Sequence, residues 1–130
     1  MSEKINVYSS ASLAYLGDSA IEICVREYLV KEMGLSSSAK LNKEALRFVK
    51  ASSQAEAMKN ILDILTEEET NVFHRGRNMG HSNTPKSATV AEYRNATGME
   101  ALFGWLYLEK RQERINELFR IAYKLDESNT

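Results

Sequence analysis

Three acidic residues interrupt two long apolar stretches of the chain and have the chemistry to bind a metal ion. Asp18 and Glu22 lie four residues apart within residues 13–25, and Glu100 lies within residues 97–108. A spacing of four places two side chains on the same face of a helix. An ionised carboxylate is rarely buried without a positive partner, so each acid calls for a basic side chain or a metal ion nearby.

The two acids of the first stretch differ in the partner that the sequence offers. Arg26 lies four residues after Glu22 and suits an ion pair with it. Asp18 has no basic residue three or four positions further on, and it follows Gly17, a residue that lets another backbone or a ligand come close. Asp18 is therefore the better candidate for a metal ligand, and Glu22 is either an ion-pair partner or a further ligand.

Crossing helices would bring Asp18 and Glu100 face to face, and Gly104 on the face of Glu100 would permit close packing. Facing carboxylates repel each other unless a proton or a cation lies between them. Oxygen ligands without His or Cys favour Mg²⁺, with Mn²⁺ as a substitute, and such an ion commonly completes its shell with substrate phosphate. The pattern predicts a metal-dependent phosphodiesterase, and the competing interpretation is a buried polar packing motif.

Residues 74–94 form a basic segment broken by Gly76, Gly80 and Pro85, which predicts a loop over residues 74–86. Its charges and small polar groups suit phosphate and sugar oxygens, although a solvated basic loop is the competing interpretation. The candidate RNA-binding residues are Arg75, Arg77, Asn78, Thr84, Lys86 and Arg94.

The composition limits the class of protein. The chain has 130 residues, enough for one domain, with 43% apolar residues, one proline and a net charge of −1. The single cysteine, Cys24, lies in an apolar stretch and is expected to be an inert core residue. No signal peptide or membrane-length apolar run is visible, so we expect a cytoplasmic protein without a membrane partner.

The periodicity predicts an all-α protein, a single-domain helical bundle without strands. Capping boxes at Ser53/Glu56 and Thr66/Glu69 mark two helix starts, and the acids at 67–69 suit a first helical turn better than a metal site. We expect an arm over residues 1–9, a domain over 10–126, a tail over 127–130, and helices over residues 10–32 (ended by Gly34), 39–51, 53–65, 66–77, 87–110 and 112–125.

Several ordered motifs resemble those of the ribonuclease III family, and in particular its Mini-ribonuclease III branch. Residues 13–19, Leu-Ala-Tyr-Leu-Gly-Asp-Ser, are similar to the family signature, and residues 100–104, Glu-Ala-Leu-Phe-Gly, are similar to its second motif. Arg-Gly-Arg-Asn at 75–78 and Thr-Pro-Lys at 84–86 match the branch. The resemblance runs from about residue 10 to 120, without a double-stranded-RNA-binding domain after it.

The resemblance implies an endoribonuclease consisting of one all-helical ribonuclease III catalytic domain, which acts as a homodimer on double-stranded RNA. It implies that Asp18 is the essential metal-binding catalytic acid and that Glu100 is its partner. The branch matures the 5′ and 3′ ends of the 23S (large-subunit) ribosomal RNA precursor with the help of a ribosomal protein.

This chain departs from the family pattern at three acidic positions. The full family has two more acids before the Leu-Gly-Asp motif, where Ala11 and Ala14 stand here. It also has one more acid three positions before the second Glu, where Thr97 stands here. Either Asp18 and Glu100 suffice with water and RNA phosphate, or Glu22 contributes. A structural or dimer-interface role for Glu22 is favoured.

Two other functions compete with the enzyme. One is a non-catalytic ribonuclease III-like protein that binds RNA or the ribosome. The other is a helical interaction module in which Asp18 and Glu100 are satisfied core acids.

Overall fold

The computed structural model describes residues 8–79 and 88–125. Its first helix, α1, spans Ser10–Glu27, and the Ser9 side chain caps it by accepting a hydrogen bond from the Ser12 amide. The helix runs on into a π-helical stretch, Tyr28–Glu32, and Gly34 ends it with a φ of +65°. The predicted helix over residues 10–32 and its glycine stop are confirmed, because only glycine adopts this φ without strain.

Two shorter helices follow. Helix α2 spans Ser38–Val49 and is capped by Ser37, whereas α3 spans Ala51–Lys59 and leads to a 3-10 turn at Leu62–Ile64. The predicted helix start at Ser53 is wrong. The chain turns at Lys50, which is extended, so that Ser53 lies inside the first turn of α3 and caps nothing.

Helix α4 spans Glu67–Asn78 and begins at the predicted capping box, in which the side chains of Thr66 and Glu69 each bond the other's backbone N–H. The predicted loop over residues 74–86 is wrong in its first part, because α4 continues to Asn78. Gly76 does not reverse the chain there: a Cβ on it would lie 2.7 Å from the Cβ of Ala101. The glycine permits close helix packing, and residues 80–87 lie outside the described part of the chain.

Helix α5, Val90–Leu108, is the centre of the fold and packs against α1, α3 and α4. Its residues from Ala96 to Leu106 are buried, apart from Glu100, which is half-buried. The last helix, α6, spans Gln112–Ala122 and turns Ile115, Leu118, Phe119 and Ala122 inward, as predicted. The all-α prediction is confirmed, since the described residues contain no strand. Among them, no helix is long and apolar enough to cross a membrane.

Cys24 and the acids at the start of α4 have the structural roles expected from the sequence. Cys24 is 7% exposed, and burial, with the nearby Glu27 charge, raises the pKa of its thiol to about 11, so the thiol stays protonated. The acids that open α4 serve the helix start, and Glu69 is also buried in an ion pair with Arg114. Both groups therefore have structural roles.

Candidate active site and basic groove

Two glycines allow α1 and α5 to touch backbone to backbone. A Cβ on Gly17 would overlap the carbonyl oxygen of Glu100, and one on Gly104 would overlap the carbonyl oxygen of Leu13. The helices therefore run antiparallel at this crossing, with residues 13 and 17 of α1 against 104 and 100 of α5. This close approach brings the residue after Gly17 to Glu100.

Asp18 and Glu100 meet at the crossing, as predicted from their spacing and neighbours. Their side chains are close enough to share a hydrogen bond. Asp18 is exposed, whereas Glu100 is half-buried. Burial, the charge of Asp18 and the shared hydrogen bond raise the pKa of Glu100 from its ordinary 4.5 to about 8. The protein alone therefore places more negative charge here than it can stabilise, and a proton or a cation must lie between the two carboxyl groups.

Glu22 has a basic partner of its own. Its Oε2 lies 3.8 Å from the Nε of Arg26, one helical turn further on. Among the described residues, no group of three or more His, Cys, Asp and Glu side chains comes together. The structure thus brings Asp18 and Glu100 together and leaves Glu22 in an ion pair.

The positions at which the full family carries further acids hold no ligands here. Ala14 is buried and apolar, and Thr97 is 5% exposed with its hydroxyl donating to the Tyr93 carbonyl at 2.9 Å. The donor set is accordingly two carboxylates. Carboxylates without His or Cys suit a hard ion such as Mg²⁺, and the excess negative charge at Glu100 fits a cation at this position.

A basic groove lies where the end of α4 meets the start of α5. Its walls enclose about 380 Å³. The described residues that line it are Arg77, Asn78, Val90, Ala91, Arg94 and Asn95. Three of the six residues predicted to bind RNA, Arg77, Asn78 and Arg94, therefore come together although 16 positions separate Asn78 from Arg94 along the chain.

Of the other three predicted RNA-binding residues, the structure describes Arg75, which is not among the residues that line the groove. Arg75 is half-buried and donates to the Tyr8 carbonyl at 3.5 Å. Thr84 and Lys86 lie outside the described residues. Asn95, which is not among the predicted RNA-binding residues, lines the groove beside Arg94. Its polar amide directly after Arg94 is the sequence feature that could have identified it.

Comparisons with known proteins agree with the geometry. The model of the ribonuclease III domain family matches residues 11–111. Mini-ribonuclease 3 of Brevibacillus brevis is 39% identical over 125 residues, 96% of this chain and 92% of the relative. Mini-ribonuclease 3 of Symbiobacterium thermophilum is 45% identical over 111 residues, 85% of each chain. A crystal structure of a protein from Fusobacterium nucleatum has a TM-score of 0.83 and 35% identity, and the match covers 92% of this chain and 95% of that one.

Proposed function

Since the chain belongs to the ribonuclease III family, in its Mini-ribonuclease III branch, and is an endoribonuclease, we propose that it cleaves double-stranded RNA in a reaction that depends on Mg²⁺, for which Mn²⁺ can substitute. Asp18 and Glu100 would hold the ion. The observation that carries this proposal is the meeting of these two carboxyl groups at the glycine crossing, with the pKa of Glu100 raised to about 8.

The chain's own residues prepare this site in three ways. Gly17 and Gly104 fix the distance between the helices, so that neither acid needs to move to meet the other. The exposed Asp18 faces solvent and can be reached by a substrate phosphate. The half-buried Glu100 holds a proton near neutral pH in the free protein and releases it when a cation replaces that proton. A divalent ion bound here would lower the pKa of water and offset the charge that develops on the phosphodiester.

Glu22 is not needed in this proposal. Its ion pair with Arg26 places a positive charge beside it, and such a charge competes with a metal ion for the carboxylate. We therefore assign Glu22 a structural role on α1.

The basic groove would hold the RNA backbone. Arg77 and Arg94 supply charge, and Asn78 supplies a short hydrogen-bonding group, a combination that suits phosphate and sugar oxygens. An A-form duplex presents a shallow minor groove and a deep major groove closed to side chains, so recognition would depend on shape more than on sequence. Affinity should fall with salt, because bound phosphates release counterions.

The proposed working form is a homodimer with two sites along a shared groove. Helix α1 supports this, since its outer side exposes large apolar side chains: Tyr15 is 85% exposed and Ile23 is 62% exposed. Apolar groups grouped on one side of a helix commonly mark a protein interface. Tyr15 precedes Asp18 by less than one turn, so such an interface would lie beside the acid pair.

The proposed natural substrate is the 23S ribosomal RNA precursor in the large ribosomal subunit, of which the enzyme would mature the 5′ and 3′ ends in the cytoplasm with a large-subunit ribosomal protein as helper. This part of the proposal rests on the likeness to the Mini-ribonuclease III branch. Its test is incubation of the protein with precursor large subunits, followed by mapping of both RNA ends. Ends that stay unprocessed while a simple duplex is cut would contradict it.

The enzymatic proposal is tested with a perfect RNA duplex, a single-stranded RNA and a DNA duplex of equal length, each with Mg²⁺ and with a chelator. We expect discrete products from the RNA duplex with Mg²⁺ only. Asp18→Asn should abolish these products but retain binding of the duplex. Equal cleavage with a chelator, or equal cleavage of the single strand, would contradict the proposal.

A further inference from the structure

The basic groove contains two arginines, Arg77 and Arg94, for which the described part of the chain supplies no partner. Arg26, Arg47, Arg114 and Arg120 are in ion pairs, Arg75 bonds a backbone carbonyl and Arg111 stacks over Trp105. Within the described residues, Arg77 and Arg94 have neither an ion pair nor a hydrogen bond, and both line the groove. Two unpaired guanidinium groups at one cavity repel each other and favour an anion between them.

The groove offers side-chain donors beside the start of α5. The capping box at Thr89 and Glu92 already uses the Thr89 and Glu92 amides at the start of α5, and it engages the Glu92 carboxylate, the acid of that first turn. The side-chain donors of the described lining residues are those of Arg77 and Arg94 and the amides of Asn78 and Asn95. The Nε of Arg77 is buried and bonds no acceptor in the described chain, an arrangement that is costly unless a ligand or water compensates it.

The groove and the acid pair must hold different phosphates. Arg94 precedes Glu100 by six residues on α5, which corresponds to about 9 Å along the helix axis. Helical rotation over six residues also turns Arg94 about 120° away from Glu100 around α5. One phosphate group is too small to bridge these two positions.

We propose that this groove is a discrete binding site for one internal phosphate of the RNA backbone, in which Asn95 acts together with Arg77, Asn78 and Arg94, and that it sets the register of the duplex over the acid pair. The inference rests on the proposed function. It adds to that function a fixed spacing between the phosphate bound in the groove and the bond that is cut. Asn95 and the arginines are positioning residues, because they determine which phosphodiester bond lies over the acid pair.

The test neutralises RNA phosphates one at a time. Duplexes with 5′-hydroxyl ends, each carrying a single methylphosphonate, are cleaved by the wild type, by Arg94→Ala and by Asn95→Ala, and the rates and cut positions are recorded. Apart from the cut bond, we expect one position at which the methylphosphonate slows the wild type about tenfold, the size of a charge-assisted hydrogen bond. Arg94→Ala should cleave the unmodified duplex about tenfold more slowly, with cuts at several bonds, and should be insensitive to that methylphosphonate.

Arg47→Ala is the matched control, because Arg47 is an exposed arginine on α2 paired with Glu44. It should keep the wild-type rate, cut position and methylphosphonate pattern. Wild-type sensitivity spread evenly over many positions, or an Arg94→Ala variant that keeps the wild-type pattern, would overturn the inference. A duplex with 5′-phosphate ends is tested separately. If the cut lies at a fixed distance from the end only in duplexes with 5′-phosphate ends, the groove binds a terminal phosphate, and this result would also overturn the inference.

Binding in chelator separates this inference from the proposed function. If the wild type cleaves no duplex, the proposed function fails, and the groove is judged by affinity alone. Arg94→Ala should then bind duplex RNA about tenfold more weakly, with the slope of log affinity against log salt reduced by about 1. Unchanged affinity and slope would overturn the inference on their own.

Discussion

Gly17 lies against the backbone carbonyl of Glu100, and the contact leaves no room for a side chain at that point of α1. The packing of the two central helices and the position of the acid pair therefore depend on the same residue. A change that separates the helices also separates Asp18 from Glu100.

Gly17→Ala should damage both stability and activity. The added methyl group meets backbone atoms of Glu100 and Gly104, which cannot rotate away as a side chain would. We expect a loss of about 3 kcal/mol in the free energy of unfolding, measured by urea titration. Cleavage of duplex RNA should fall at least about a hundredfold in the fraction that remains folded, because small displacements of reacting groups are costly.

Gly34→Ala is the control for this prediction. Gly34 has a φ of +65° with no atom near its absent side chain, so alanine there should cost about 1 kcal/mol through backbone strain and leave cleavage unchanged. Equal effects of the two substitutions on cleavage would show that the crossing does not position the acids.

Glu100→Gln should change how stability depends on pH in the absence of metal. The pKa of Glu100 is about 8 in the folded protein and 4.5 ordinarily, so between these values the folded state holds a proton that the unfolded state has lost. The unfolded state binds fewer protons there, and wild-type stability must fall as pH rises from about 4.5 to about 8. The fall from this group is at most about 5 kcal/mol.

The measurement is urea unfolding of wild type and Glu100→Gln in chelator from pH 4 to pH 9. The variant's stability relative to wild type should rise with pH and level off above pH 8, while its cleavage of duplex RNA is lost. A difference in stability that is constant across this range would show that Glu100 is not protonated beside Asp18.

Arg114→Met should destabilise the fold without changing the positions of Asp18 and Glu100. Glu69 is 1% exposed and accepts two hydrogen bonds from Arg114, at 2.8 and 2.9 Å. Burial alone would raise the pKa of Glu69, but the bonds from Arg114 and Thr66 outweigh it and lower the pKa. Removing Arg114 leaves a buried carboxylate alone, at a cost of about 3–5 kcal/mol by thermal or urea unfolding at pH 7.

The same pair predicts an acid dependence. Because the folded pKa of Glu69 is lowered, its stabilisation is present above pH 4.5 and is lost as pH falls through the folded pKa. Glu69→Gln in the Arg114→Met background should recover part of the lost stability. Arg47→Met, which breaks only the surface pair with Glu44, should cost less than about 1 kcal/mol, and an equally small cost for Arg114→Met would refute the argument.

Tyr15→Asp should convert the proposed dimer to a monomer. A charge at this position would have to be buried without a partner if a second chain covers α1. Sedimentation velocity at micromolar concentration should show a dimer for the wild type and a monomer for the variant. Leu46→Asp, which changes a 61%-exposed leucine of α2, should remain dimeric. A monomeric wild type would contradict the proposed homodimer.

Local signals made much of the fold predictable. The capping box at Thr66, the glycine stop at Gly34 and the inward face of α6 depend on neighbours within one or two helical turns, and all three are confirmed. The meeting of Asp18 and Glu100 was also predictable, because each acid stands beside glycine in an apolar helix. Hydrophobic periodicity and glycine position carried that prediction.

Contacts between distant parts of the chain were not predictable. The ion pair of Glu69 with Arg114 joins residues 45 positions apart, and neither residue differs in type from a surface charge. The predicted loop at residues 74–86 overlapped the predicted helix over residues 66–77, and the helix prediction is the correct one there, because Gly76 admits α5 and does not break α4. A capping signal at Ser53 was overridden by the turn at Lys50.

The most direct test of the claim that Asp18 and Glu100 hold the metal is a Mn²⁺ titration. Binding is monitored through the electron paramagnetic resonance signal of the free ion. Wild type should bind Mn²⁺ more tightly as pH rises towards 8, and Glu22→Gln should bind it equally well. Asp18→Asn and Glu100→Gln should each lose this binding while remaining folded. Wild-type Mn²⁺ affinity in both of those variants would contradict the claim that the two acids hold the metal.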